Sequence, residues 1–223
     1  LRKPFALHLE AREVHAGSVH MNASDAVLVC GFLGCDLRPF NPLIASLPRL
    51  LHLPAGSGGS WVGPVMHQAV RESREHRPGS EAVLERLSEM MFVDAVRRHL
   101  DGLPGESTGW LAGLRDRVVG KALTLMHDRP ADPWTIELLS ERVGLSRSAL
   151  HERFVHFVGQ PPMQYLAQWR MQVATGLLAE GNDNVAQVAF AVGYESEAAF
   201  ARAFKRLVGT PPAAWRRNGE TAT

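Results

Sequence analysis

With 223 residues, 45% of them apolar, and a formal net charge of +1, the chain has enough length for one or two folded domains and is a poor match to intrinsic disorder. No apolar run reaches the roughly 18 residues of a membrane span, and Leu1-Arg2-Lys3-Pro4 lacks a signal-peptide pattern. Two cysteines cannot staple a secreted scaffold, so a soluble cytoplasmic protein is the expectation. Of the 24 basic residues only Lys3, Lys121 and Lys205 are lysines, a bias that GC-rich coding DNA also produces.

Residues 1–60 are turn-rich. Val27-Leu28-Val29-Cys30-Gly31-Phe32-Leu33 is a short apolar run between Asp25 and Gly34, as a buried strand would show. Leu43 to Leu53 is apolar but interrupted by Pro48, and Pro54 to Ser60 reads as a flexible loop. From residue 61 to 127 the pattern turns helical. Ser80 is expected to cap a helix with Val83, Leu84, Leu87, Met91 and Leu100 on its apolar stripe, ended by Asp101-Gly102-Leu103-Pro104-Gly105. Leu111 to His127 reads as one further helix, with Leu114, Val118, Leu125 and Met126 inward and Arg115, Arg117 and Lys121 outward. Arg129-Pro130-Ala131-Asp132-Pro133 is a short connector.

The most informative feature is an internal repeat. Val143-Gly144 recurs as Val192-Gly193 at an offset of 49. Ser146, Ala149, Phe154, Val158, Gly159, Pro161 and Pro162 recur as Ser196, Ala199, Phe204, Val208, Gly209, Pro211 and Pro212 at an offset of 50. One residue has therefore been inserted in the turn of the second copy. In copy one, Thr135 is the expected N-cap, with Trp134 stapled against Leu139. Gly144 fits the left-handed position that ends a helix, and Ser146 caps a second helix carrying Leu150, Phe154, Phe157 and Val158 inward. In copy two, Asn184 and Gln187 form a capping box, Gly193 turns, and Ser196 caps a helix with Phe200, Phe204, Leu207 and Val208 inward. Between the copies Met163 to Ala179 reads as a long helix of about 25 Å, at 1.5 Å per residue. Within it Gly176 is either a weak point or a close-packing position, and Gln172 is expected to face solvent.

Two helices joined by a short glycine-containing turn are either a plain helical hairpin or a helix-turn-helix whose second helix enters a DNA major groove. The outward positions favour the second. They are Arg147, Ser148, His151 and Glu152 in copy one, and Glu197, Ala198, Ala201 and Arg202 in copy two. Small residues let a helix approach base edges, and arginine pairs with guanine. From Ala198 to Gly219 there is no acidic residue, whereas Arg202, Lys205, Arg206, Arg216 and Arg217 all lie there.

The stretch from Trp134 to Arg216 closely resembles the AraC/XylS family of bacterial transcriptional regulators. The matching pieces are Val143-Gly144-Leu145-Ser146, Leu150-xx-Arg153-Phe154, Gly159-xx-Pro162-xx-Tyr165, Trp169-Arg170-Met171 and Val192-Gly193-Tyr194-Glu195-Ser196. Phe200-xxx-Phe204-Lys205, Gly209-xx-Pro212 and Trp215-Arg216 complete them. The resemblance implies two helix-turn-helix units, bridged by a long helix, that read successive major-groove segments on one DNA face. It places base-reading positions at Arg147, Ser148, His151, Glu152, Glu197, Ala198 and Arg202. Glu152 either accepts from a cytosine amino group or is a solvated partner of Arg153 or His156. Phosphate positioning is assigned to Ser146, Arg153, Ser196, Lys205, Arg206, Arg216 and Arg217.

Upstream, Val29-Cys30-Gly31, Leu43 to His52 and Gly79-Ser80-Glu81 look like the later part of the cupin-like sensor of one AraC subgroup. Such sensors need more chain than the sixty residues before Trp61. Either the front half of the barrel is absent from this chain, or the region is not a closed barrel. The expected fold is thus mainly α: a C-terminal all-α tandem helix-turn-helix domain, and an N-terminal partial-β, cupin-like remnant plus helices. The expected divisions are 1–60, a partial sensor region; 61–108, a helical dimerisation or connector region; 109–217, the DNA-binding domain; and 218–223, a tail. Expected partners are double-stranded promoter DNA, a second copy through Ser80–Leu100, RNA polymerase and a small-molecule effector, with no membrane and no cofactor.

Other chemistry has less support. Cys30 and Cys35 enclose four residues, which is neither a CxxC redox motif nor half a zinc ribbon, so they stand only as redox candidates. His8, His15 and His20 lie in a loop-like segment, and no metal site is expected. Gly56-Ser57-Gly58 has the wrong spacing for a GxSxG elbow, and an enzyme is not expected. A non-catalytic helical scaffold is the rival to the DNA-binding reading; salt dependence separates them, since a scaffold releases no phosphate counterions.

Overall fold

Side-chain caps begin most of the C-terminal helices, and left-handed glycines end several. The computed structural model describes residues 15–17, 28–30, 39–53, 61–75, 77–181 and 183–220. They fall into two units. One holds β1 (His15–Gly17), β2 (Leu28–Cys30), α2 (Val62–Glu75) and α3 (Ser80–Asp101). The other holds α1 (Pro42–Ser46), α4 (Trp110–Arg115), α5 (Arg117–Asp128), α6 (Ile136–Val143), α7 (Arg147–Val158), α8 (Pro162–Glu180), α9 (Val185–Ala191), α10 (Glu197–Val208) and α11 (Pro212–Glu220).

The expectation of a partial-β N-terminal region is corrected. Among the described residues, strand is limited to one antiparallel ladder of β1 and β2, three residues each, with Ala16 opposite Val29. A lone two-stranded ladder cannot enclose a core, and the fold is helical. Cys30 ends β2, while Cys35, His8 and His20 lie outside the described residues.

In the smaller unit α2 and α3 form a hairpin tied at one buried carboxylate. Glu72 accepts from Gln68 Nε2 at 2.8 Å, Arg77 Nη2 at 3.1 Å and Ser80 Oγ at 2.8 Å. Three donors compensate its desolvation. Ser80 therefore does not cap α3; Gly79 stands at the N-cap with φ 86°, and the hydroxyl serves Glu72 instead.

The larger unit has two cores threaded by α8. Trp110, Val119, Leu123, Met126, Leu139, Leu150 and Phe154 are buried around the first hairpin, and α8 adds Tyr165, Leu166 and Trp169. The second core gathers Val188, Ala189, Val192, Phe200 and Phe204 with Met171, Ala174 and Leu178 of α8. Successive stretches of α8 bury into different cores, so the helix carries no single apolar stripe.

The expected single helix at 111–127 is two. Asp116 breaks it: its backbone leaves the helical region, with ψ 127°, and its carboxylate accepts from the amides of Val118 and Val119 at 3.1 and 2.9 Å, starting α5 afresh. Gly120 permits the fold-back, because a Cβ there would stand 2.6 Å from the Leu114 carbonyl oxygen. Gly176 is exposed, and a Cβ on it would meet nothing within 4 Å, so close packing does not explain it. Gln172 is half-buried rather than solvent-facing; its Oε1 accepts from the Phe40 amide at 3.1 Å.

Candidate nucleic-acid interface

Each repeat forms two helices and a tight turn. In the first, Thr135 Oγ1 accepts from Leu138 N, Gly144 turns with φ 78°, and Ser146 Oγ accepts from Ala149 N at 3.2 Å. In the second, Asn184 and Gln187 form the capping box, Gly193 turns with φ 82°, and Ser196 Oγ accepts from Ala199 N at 3.2 Å. Both serine hydroxyls are thus engaged as helix caps.

Burial of Leu150 and Phe154 turns Arg147, Ser148, His151 and Glu152 to solvent as one face of α7, and all four are exposed. Burial of Phe200 and Phe204 does the same for Glu197, Ala198 and Arg202 on α10, with Ala201 half-buried among them. The repeat makes these faces equivalent position by position: Arg147 with Glu197, Ser148 with Ala198, His151 with Ala201, Glu152 with Arg202. The same scaffold therefore presents two different sets of hydrogen-bonding groups, with the charges exchanged.

The cations differ in how they are held. Arg147 Nη1 lies 2.9 Å from Glu137 Oε1 of α6, with side chains 66% and 58% exposed. Arg147 holds the Glu137 carboxyl below its ordinary pKa by hydrogen bonding. Arg153 is forked onto Asp116. Arg216 is half-buried and donates from Nη2 to the Asp183 carbonyl ahead of α9. Arg202, Lys205 and Arg206 are exposed on α10 and have no acidic partner among the described residues; Arg217 is also exposed.

Sequence reasoning missed the groups that hold this surface in place. His127, Tyr165 and Trp110 form a polar seam inside the first core. Tyr165 Oη accepts from Trp110 Nε1 at 2.8 Å and lies 2.8 Å from His127 Nε2, whose ring stacks on Trp169 at 3.9 Å. Burial lowers the His127 pKa to about 4 and raises that of Tyr165, so the neutral imidazole is the acceptor for the Tyr165 hydroxyl. Arg170 of α8 was visible only as part of a motif. Its Nε donates to Pro130 O at 2.8 Å, its Nη2 to Asp132 O at 2.9 Å and its Nη1 to Gly193 O at 3.3 Å.

Comparison with known proteins places this geometry. A helix-turn-helix domain profile matches residues 139–218, and a cupin profile matches residues 2–101. A putative AraC-like transcription regulator of Streptomyces antibioticus is 35% identical over 221 residues, covering 94% of this chain and 73% of the relative. The chain belongs to the family of AraC-like transcription regulators. A second such AraC-like regulator, from Streptomyces lividans, is 39% identical over 195 residues, 87% of this chain and 64% of the relative. The chain thus spans less than two thirds of the length of that protein. Among solved structures, the DNA-binding domain of AdpA in complex with a target DNA is 27% identical and covers 48% of this chain and 96% of that one, with a TM-score of 0.46. Among the described residues of this AraC-family chain, no helix is long and apolar enough to cross a membrane.

Proposed function

We propose that this AraC-family chain is a sequence-specific DNA-binding transcriptional regulator that reads two successive major-groove segments with α7 and α10. The observation that carries the reading is the pair of equivalent, exposed helix faces, each at the second helix of a hairpin and each carrying different hydrogen-bonding groups. Base reading falls to Arg147, Ser148, His151 and Glu152 on one helix and to Glu197, Ala198 and Arg202 on the other. Phosphate positioning falls to Lys205, Arg206 and Arg217, which are exposed, more readily than to Arg153, which is forked onto Asp116, and Arg216, which is held by the Asp183 carbonyl.

The remaining partners are part of the same proposal. Control by a small-molecule effector through the N-terminal stretch is supported by the cupin match over 2–101. A homodimer through α3 is supported by Val83, Met90 and Val93, exposed on one face at the spacing of a coiled-coil seam. Contact with RNA polymerase completes the regulatory reading. The test is selection of bound sequences from random duplex DNA by the purified chain. A two-part motif whose binding weakens steeply with salt is expected. Failure to enrich any motif at low salt would remove the reading in favour of a helical scaffold.

A further inference from the structure

We propose that Arg170 is a specificity-determining positioning residue: by joining the connector before the first hairpin to the turn of the second, it fixes the separation of half-sites that the protein accepts. The inference rests on the DNA-binding reading and goes beyond it, since α8 alone does not hold the hairpins at one angle. A helix fixes the distance between its two junctions, yet each hairpin can still rock about its own.

The contacts around Arg170 remove that freedom. Its guanidinium donates to three backbone carbonyls, those of Pro130, Asp132 and Gly193. Two belong to the segment that enters α6, and one to the turn between α9 and α10. Its guanidinium carbon also lies 5.8 Å from the centre of the Tyr194 ring in that turn. Beneath it the two backbones touch. Gly193 has φ 82°, and a Cβ there would stand 2.6 Å from the Ala131 carbonyl oxygen, 2.8 Å from Ala131 Cα and 2.9 Å from Arg170 Nη2. No side chain fits between connector and turn, so the two hairpins meet backbone to backbone with one planar fork across the joint. Lysine would supply a single compact donor group and not the fork.

DNA makes this rigidity readable. One inserted base pair moves the second half-site by about 3.4 Å and turns it by about 34°. A locked pair of hairpins cannot follow, whereas a loosened pair can.

The experiment uses the full chain and the duplex selected by the wild type, with zero, one or two base pairs inserted between its halves. Wild type should lose about tenfold or more in affinity on a single insertion. Arg170→Gln, with whatever affinity remains for the parent site, should lose less than about threefold across the set, and Arg170→Lys should fall between. Thermal melts identify a Gln variant that does not fold; Arg170→Lys then decides alone, since it keeps the packed stem. The inference is overturned if the folded variants show the wild-type insertion penalty, because Arg170 then only supports the fold. A wild type that selects no motif overturns the DNA reading itself and this inference with it, a result distinct from a retained penalty.

Discussion

Arg153, on the second helix of the first hairpin, is forked onto Asp116, the residue that starts α5. Its Nε lies 3.0 and 3.1 Å from the two carboxylate oxygens, and its Nη2 lies 2.5 Å from Oδ2. The same carboxylate caps α5 through Val118 and Val119, so one side chain sets where α5 begins and how α7 lies against it. The hydrogen bond from Arg153 holds the Asp116 carboxyl below its ordinary pKa. Asp116 is 7% exposed and Arg153 50% exposed, so solvent screens the pair only from one side.

Arg153→Gln should therefore act on stability rather than on phosphate contact. We expect a loss of about 1 kcal/mol, discounted for the half-exposed guanidinium. The salt slope of DNA binding should be unchanged. Asp116→Asn keeps a capping oxygen and should cost about as much, whereas Asp116→Ala adds about 1 kcal/mol for the lost cap. Urea denaturation gives the first quantity and binding across a salt series the second. A slope smaller by about 1 for Arg153→Gln would place Arg153 on a phosphate instead.

The C-terminal repeat was legible because its signals are local. Thr135, Ser146, Asn184 and Ser196 cap where expected, since a short polar side chain before an apolar-periodic segment bonds to its own first turn unless a nearby carboxylate takes its hydroxyl, as Glu72 takes that of Ser80. Asp116 was not legible as a break, because an aspartate between Arg115 and Arg117 reads equally as a solvated helix residue until a distant arginine holds it. Arg170 carried no local signal of its role: its acceptors are backbone carbonyls 23 to 40 positions away, which no side-chain pattern reveals. The exposed outward faces of α7 and α10 needed only periodicity. Which of the neighbouring cations were already engaged needed coordinates, as Arg216 and Arg153 show.

Arg202 lies on the outward face of α10 with Glu197 and Ala198, and Glu152 occupies the equivalent place on α7. If Arg202 reads a base, Arg202→Ala should relax the preferred sequence at one position of one half-site. The lost discrimination should be about 1–3 kcal/mol. Comparing affinities for all four bases at each position checks this. Equal weakening on every site variant would reduce Arg202 to a backbone contact.

Lys205 and Arg206 are exposed without an acidic partner among the described residues, Arg217 is exposed, and Arg216 is held by the Asp183 carbonyl. Gln at Lys205, Arg206 or Arg217 should weaken binding on all sequences and shrink the salt slope by about 1 for each true phosphate contact. Arg216→Gln should instead loosen the Asp183 carbonyl at the entry to α9, lowering the melting temperature with the slope intact. Unchanged slopes for all three exposed variants would remove the assignment.

His127 gives the fold an acid-sensitive point. Burial lowers its pKa to about 4, against about 6.5 in the unfolded chain. Between those values the unfolded chain binds a proton that the folded protein refuses, so this contribution is complete above about pH 6.5 and is lost as pH falls toward 4. The shift corresponds to roughly 3 kcal/mol across that window. His127→Gln retains an acceptor for the Tyr165 hydroxyl and should flatten stability against pH by about one proton there. Denaturation curves at several pH values measure it; a slope equal to wild type would show that other groups carry the acid sensitivity.

Gln172 lies two positions beyond Arg170 on α8, and its Oε1 accepts from the Phe40 amide at 3.1 Å. Proline there removes an internal helix hydrogen bond and drives its ring against the preceding turn, at about 3 kcal/mol or more. It also takes away the Phe40 acceptor. Gln172→Ala removes only that acceptor and serves as the comparison. If the straight helix sets the reach between α7 and α10, Gln172→Pro should leave one hairpin on DNA and detach the other. Footprinting would then show one protected major-groove segment where wild type and Gln172→Ala show two. Two protected segments at unchanged affinity for Gln172→Pro would mean that the contacts of Arg170 and Gly193, rather than the helix, hold the hairpins in register.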